Sequence, residues 1–161
     1  MSKFATWLED RTGLVKPLRG FLNYPVPNYV HKNLLYTLGG LTAITFILQI
    51  VTGVLLVFYY DPSSTEAYNS VDYVTYQVPL GWLVRGVHYY GSSAMVILAA
   101  LHMLRTYFMS TYKKPRELNW MTGVFLLLLV FGFGFTGYLL PWDQKGYWAT
   151  KVGTEIAASV P

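Results

Sequence analysis

Two histidines, His88 and His102, stand fourteen residues apart in the long apolar stretch WLVRGVHYYGSSAMVILAALHMLRTYF, residues 82–108. On a 3.6-residue helix, fourteen steps return to within about 40° of the starting direction and rise roughly 21 Å. One helical face then carries two imidazoles about two-thirds of a bilayer core apart. Arg85 lies three residues before the first histidine and Arg105 three after the second, each on the water-ward side of its histidine. A neutral imidazole nitrogen is a good axial ligand for haem iron. Haem also carries propionates, which need cations or donors near each membrane surface. The column therefore reads as a holder for two haems, one above the other. Taken alone, the histidines also fit helix packing through hydrogen bonds, or a proton path. Arg105 alone also fits snorkelling at a basic membrane face.

Glycines repeat at the same interval. Gly39 and Gly53 lie in one apolar stretch and Gly123 and Gly137 in another, each pair fourteen apart. Antiparallel threading of three spans groups Gly39, His102 and Gly123 in one layer, and Gly53, His88 and Gly137 in the other. Glycine admits close approach of a backbone to a ligand, and a flat macrocycle needs such clearance at its edges. Glycine-mediated helix packing accounts for single glycines in membranes, but not for one repeat shared by three spans. His31 has no partner at this repeat and reads as a surface histidine.

The elements that must position these groups follow from composition. Of the 161 residues, 53% are hydrophobic and only 12% charged, against about 25% charged in a soluble domain. The charges cluster and leave three long apolar spans at about 33–59, 80–109 and 120–140, enough for an all-α membrane protein. Pro141 stops the third span. Residues 1–32 read as an amphipathic surface segment with a helix over Ser2–Thr12, residues 33–140 as a three-helix transmembrane domain, and 141–161 as an interfacial segment. Residues 61–79 read as a polar loop. This loop carries Asp61, Glu66 and Asp72 and no Lys or Arg, whereas the N-terminal segment and the connector STYKKPREL are basic. The positive-inside rule then places the N-terminus, Arg105 and His102 on the cytoplasmic side, and Arg85, His88 and the tail on the outer side. The start, MSKFATWLEDRTGL, has acidic residues and no early apolar run, unlike a signal peptide. No cysteine is present, which excludes disulfides, thiolate metal sites and thioether attachment of a cofactor. The net charge of +4 is accounted for by this topology and does not argue for a nucleic-acid partner. The stretch FTGYLLPWDQKGYWATKV fits two descriptions equally, an aromatic surface for a flat quinone or an interfacial aromatic belt with a turn.

At these residues the chain resembles the cytochrome b/b6 family, the membrane subunit of quinol–cytochrome c and quinol–plastocyanin oxidoreductases. The matching pieces are LGGLTAITFILQIVTG, GWLVRGVHYYGSSAMVILAALHMLR, KKPRELNWMTG and FGFTGYLLPWDQKGYWATKVG. The stretches YKKPRELNW and GYLLPWD are most similar to b6-type proteins, including those of bacterial menaquinol complexes. The resemblance implies three helices of a haem-binding four-helix bundle and two b haems. His88 would ligate the iron of the low-potential outer haem and His102 that of the high-potential inner haem. Arg85 and Arg105 would meet propionates. Gly39, Gly53, Gly123 and Gly137 would clear the macrocycles. Residues 137–152, with Tyr138, Trp142, Ala149 and Val152, would line a wall of the outer quinol-oxidation site. The implied partners are a Rieske iron–sulfur protein, a c-type cytochrome, membrane quinone and a chain supplying the fourth helix with its two histidines, in a dimeric complex. The expected setting is a bacterial cytoplasmic or thylakoid-type membrane.

Three departures from the family pattern stand out. Thr37 occupies the position of a cysteine that attaches an extra haem in b6-type proteins, so only a non-covalent third haem fits there. Tyr89 follows His88 where arginine is frequent. The family's fourth helix, with its histidine pair, is not among residues 1–161, so either another subunit or a longer chain is expected to supply it. Two rivals share part of this pattern. A dihaem anchor of a hydrogenase or formate dehydrogenase would not need the PWDQ segment, and a cofactor-free assembly subunit would show no haem absorbance.

Overall fold

The structure, a computed structural model, describes residues 34–159 together with isolated positions 6, 20 and 23. Apart from Thr6, the expected Ser2–Thr12 helix lies outside the described residues, as does His31. The chain divides into two units, Met1–Tyr36 and Thr37–Pro161. Of the first, a 3₁₀ turn over Leu34–Tyr36 is described. The second unit holds five helices: α1 (Leu38–Val57), α2 (Ala67–Tyr76), α3 (Gly81–Phe108), α4 (Glu117–Leu139) and α5 (Gln144–Ala158).

Helices α1, α3 and α4 have 20, 28 and 23 residues and are apolar enough to cross a membrane. At 1.5 Å per residue each reaches or exceeds the roughly 30 Å hydrocarbon thickness. A helix satisfies its own backbone groups, which hydrocarbon cannot do, so these sequences can span only as helices. The fold is an all-α membrane protein with three spanning helices, matching part of a four-helix bundle.

Helix α3 is the middle element. It packs along α1, touches α4 and carries α2 near its start, while α5 rests on α4. Few side chains are withdrawn from the surface: among the described residues, Leu38, Ala67, Val74 and Met95 are the buried hydrophobic ones. Ile44, Ile47, Val57 and Phe133 stay exposed, as suits helices whose outer faces meet lipid or further helices.

Two segments differ from expectation. The acidic loop contains a helix, α2, because Ala67, Val71 and Val74 recur at i, i+4 and i+7 within AYNSVDYVTY and form one apolar edge. Ala67 and Val74 are buried on it. Upstream, the Asp61 carboxylate accepts the Ser63 N–H at 2.9 Å, and hydrogen bonding from Ser63 holds this carboxyl below the usual range. Downstream, Leu80 turns through a left-handed φ of 61° into Gly81, where any Cβ would run into the Val74 carbonyl oxygen.

The tail also forms a helix. Asp143 is the N-cap of α5, its carboxylate accepting the Gly146 N–H at 2.7 Å. That bond satisfies one of the donors that every helix start leaves open. Asp143→Ala is expected to destabilise α5 by about 1 kcal/mol, seen as faster limited proteolysis within residues 144–158 of the detergent-solubilised protein. Pro141 ends α4 as expected, with Leu140 as the C-cap.

Candidate functional site

The His102 layer assembles as the repeat requires. Gly39 of α1, His102 of α3 and Gly123 of α4 all border one cleft of about 630 Å³. A Cβ on Gly39 would lie 3.0 Å from His102 Cε1 and 3.4 Å from Nδ1, so the ring lies against bare backbone. A Cβ on Gly123 would meet Met103 Cε at 3.7 Å. Phe46, Met95 and Ala99 contribute apolar wall, and Arg116 and Asn119 add polar groups. His102 Nδ1 is buried with no hydrogen-bond partner among the described residues. A cleft of this size with few polar groups suits a flat, largely apolar ligand. The histidine, the glycine clearances and the apolar walls fit a haem macrocycle.

The His88 layer repeats half of that arrangement. A Cβ on Gly53 would lie 3.3 Å from His88 Cε1. Gly137, assigned to the same layer, has nothing within 4 Å of a built Cβ, so α4 does not close on His88 here. Two further residues of α1 reach this histidine. Thr52 Oγ1 lies 2.9 Å from His88 Nδ1. With its amide turned to satisfy both ends, Gln49 donates to the His88 carbonyl oxygen at 3.1 Å, brings the same nitrogen to 3.2 Å from His88 Nδ1, and accepts the Ser92 N–H at 3.2 Å. Gly91 makes room for that amide, since a Cβ there would collide with Gln49 Nε2. The sequence reading passed over Gln49 and Thr52. Their signal was present: two polar residues in an apolar span, three apart and so on one helical face.

The arginines take different surroundings. Arg85 is exposed and donates from Nη1 to Thr75 Oγ1 at 3.1 Å. It borders a pocket of about 260 Å³ with Asp72, Tyr76, Pro141 and Asp143. Arg105 is half-buried in the last turn of α3. Among the described residues no three His, Asp or Glu side chains converge. Each histidine therefore stands alone, able to supply one axial nitrogen rather than part of a chelating cluster.

The predicted quinol-site residues lie around one corner. Tyr138 is exposed in the last turn of α4, and Trp142 sits in the turn with a φ of 50°. Trp142 meets Tyr147 edge-on with ring centroids 6.0 Å apart, and Tyr147 meets Trp148 at 5.3 Å. Ala149 and Val152, three apart on α5, share a face. Neither of the two clefts above is lined by these four residues. The corner is tied to the end of α1 by Tyr60, whose hydroxyl donates to the Leu140 carbonyl at 2.8 Å. Burial and the neighbouring Asp61 push that phenol up, which keeps it a donor. Thr37 is the exposed N-cap of α1.

The sequence profile of the family described as Cytochrome b/b6/petB matches residues 21–161. The chain belongs to the cytochrome b/b6 family. It is similar to the cytochrome b6 of Crocosphaera subtropica, 44% identical over 160 residues that cover 99% of this chain and 71% of that protein. Against the cytochrome b6 of Heliobacterium mobile the identity is 46% over 156 residues, 96% of this chain and 73% of the relative. A solved chain of a hyperthermophilic respiratory Complex III superposes with a TM-score of 0.82 at 34% identity, covering 97% of this chain and 40% of that one. The chain thus spans less than half of that Complex III subunit and nearly three-quarters of these two b6 proteins. It is a multi-pass membrane protein and an electron-transfer subunit of a multisubunit oxidoreductase complex. Members of the cytochrome b6 family typically bind two b haems without covalent attachment.

Proposed function

We propose that this chain holds two b haems and carries electrons from an outer quinol-oxidising site to an inner quinone-reducing site, coupled to proton translocation. The observation that supports this best is the pairing of Gly39 with His102 and Gly53 with His88, one fourteen-residue repeat apart on both helices. Bound there, each haem would supply a one-electron carrier. His88 and His102 each offer one axial nitrogen. The second ligands come from a fourth helix, in a partner chain or in sequence beyond Pro161. Arg85 and Arg105 neutralise propionates at opposite surfaces. Apolar side chains between the layers exclude water from the intervening path.

Residues 33–140 form the haem-binding domain, 1–32 a cytoplasmic-side surface segment and 141–161 the outer segment. The purely acidic loop 61–79 and the basic residues Lys113, Lys114 and Arg116 support this orientation. Tyr138, Trp142, Ala149 and Val152 face the quinol, and the aromatic corner around Trp142 supports that role. A Rieske protein and a c-type cytochrome complete the oxidoreductase, which is dimeric. A third haem near Thr37 is held only non-covalently.

The test is purification of the complex from membranes, followed by pyridine haemochrome analysis and a redox titration. Two b haems per chain with separable potentials, and quinol oxidation blocked by inhibitors of Rieske-type quinol sites, are expected. A complex with no b haem, or one insensitive to those inhibitors, overturns the reading.

A further inference from the structure

We infer that Thr52 is a positioning residue that accepts the Nδ1–H of a His88 ligating through Nε2 and so sets its ligand strength, and that this device is absent from the His102 layer. The inference rests on the reading of His88 and His102 as haem ligands. Thr52 is the one buried polar side chain among the described residues, 6% exposed. Its hydroxyl lies 2.7 Å from the Leu48 carbonyl and 3.3 Å from that of Gln49, both on its own helix. A hydroxyl has one proton, and here the helix carbonyls take it. The oxygen lone pairs are left for His88 Nδ1 at 2.9 Å, and the turned Gln49 amide nitrogen lies 3.2 Å from the same atom, so Thr52 accepts from His88 in the tautomer that carries its hydrogen on Nδ1. Nε2 then keeps its lone pair for iron. An acceptor on the outer N–H of a ligating imidazole also raises its basicity. A more basic ligand stabilises the oxidised metal and lowers its potential.

The fourteen-residue repeat makes the comparison internal. Each histidine ring lies against a glycine of α1, His88 on Gly53 and His102 on Gly39. The residue before Gly53 is Thr52, and the residue before Gly39 is Leu38, which is also buried, at 7% exposed. Leucine side chains offer no acceptor, and His102 Nδ1 is buried without a hydrogen-bond partner among the described residues. The two layers share histidine and glycine; Gln49 is a further polar neighbour of His88, and at the residue before the glycine the difference is one hydroxyl. That difference acts toward a lower potential on the His88 side. Gln49 clasps the backbone on either side of this turn, at the His88 carbonyl and the Ser92 N–H, and its amide nitrogen, a donor, cannot accept from Nδ1 in place of Thr52.

The experiment compares wild type, Thr52→Val, Thr52→Ser and Leu38→Thr in the haem-loaded complex by redox titration and low-temperature EPR. Thr52→Val is expected to raise the midpoint of the His88 haem, by about 59 mV for each tenfold change in its one-electron equilibrium, and to leave the His102 haem unmoved. Thr52→Ser restores the wild-type value and EPR signal. Leu38→Thr lowers the midpoint of the His102 haem alone. A Thr52→Val complex with both haems bound and both potentials unchanged overturns the inference. Should Thr52→Val not assemble, Leu38→Thr decides it: an unmoved His102 haem rejects the hydroxyl as the cause. Loss of neither haem in His88→Ala would instead overturn the ligand assignment beneath it.

Discussion

Replacing His88 by alanine is expected to cut the haem content of the purified complex by about half and to abolish quinol-driven electron transfer across the membrane. The two histidines sit on one helix but at separate levels, each against its own glycine of α1. Neither has a second protein ligand nearby among the described residues to replace it. Losing an axial nitrogen therefore empties one level and spares the other. His102→Ala gives the complementary result, and the two variants together assign the two redox midpoints. Difference spectra at controlled potential, with haem per chain from pyridine haemochrome, make the measurement. A complex that keeps both haems after either substitution would rule that histidine out as a ligand.

The second large effect belongs to Gly39. Even an alanine there would place its Cβ 3.0 Å from His102 Cε1, so the ring must shift. Valine adds two methyl groups beside the same ring. Overpacking of this kind costs about 1–3 kcal/mol, which is on the order of 5- to 150-fold in site occupancy. Gly39→Val is expected to deplete the His102 haem selectively, with the His88 haem retained. Gly132→Val is the internal control within this chain, because a Cβ on Gly132 meets nothing within 4 Å and Gly132 lies outside the fourteen-residue repeat. Equal haem loss in both variants would show that the glycines act through general helix packing rather than through clearance at the histidine.

The three spans were legible in the sequence because each is a long apolar run bounded by charge, proline or both. Their edges moved by a few residues: α1 begins at Leu38 after a 3₁₀ turn, and α4 starts at Glu117. Such edges depend on capping bonds rather than hydropathy. Helix α2 was hidden by its polar residues, although Ala67, Val71 and Val74 carried its periodicity. Helix α5 was hidden by its mixed composition, and Asp143 marks its start only once the Gly146 N–H is seen to point at it.

By itself the sequence determined which residues share a helical face. Periodicity of 3.6 residues is an intrachain property, so His88 with His102 and Gly39 with Gly53 follow from counting alone. It also determined the order of charge along the chain, and through that an expected orientation. Only the tertiary structure decided which face of α1 turns toward α3, and at what height. The rotation and slide of one helix against another are set by side-chain packing between them, which no single-helix period encodes. That packing puts Gly39 on His102 and Gly53 on His88, but leaves Gly137 facing open space. It also brings Thr52, one residue from a recognised glycine, to 2.9 Å from His88 Nδ1.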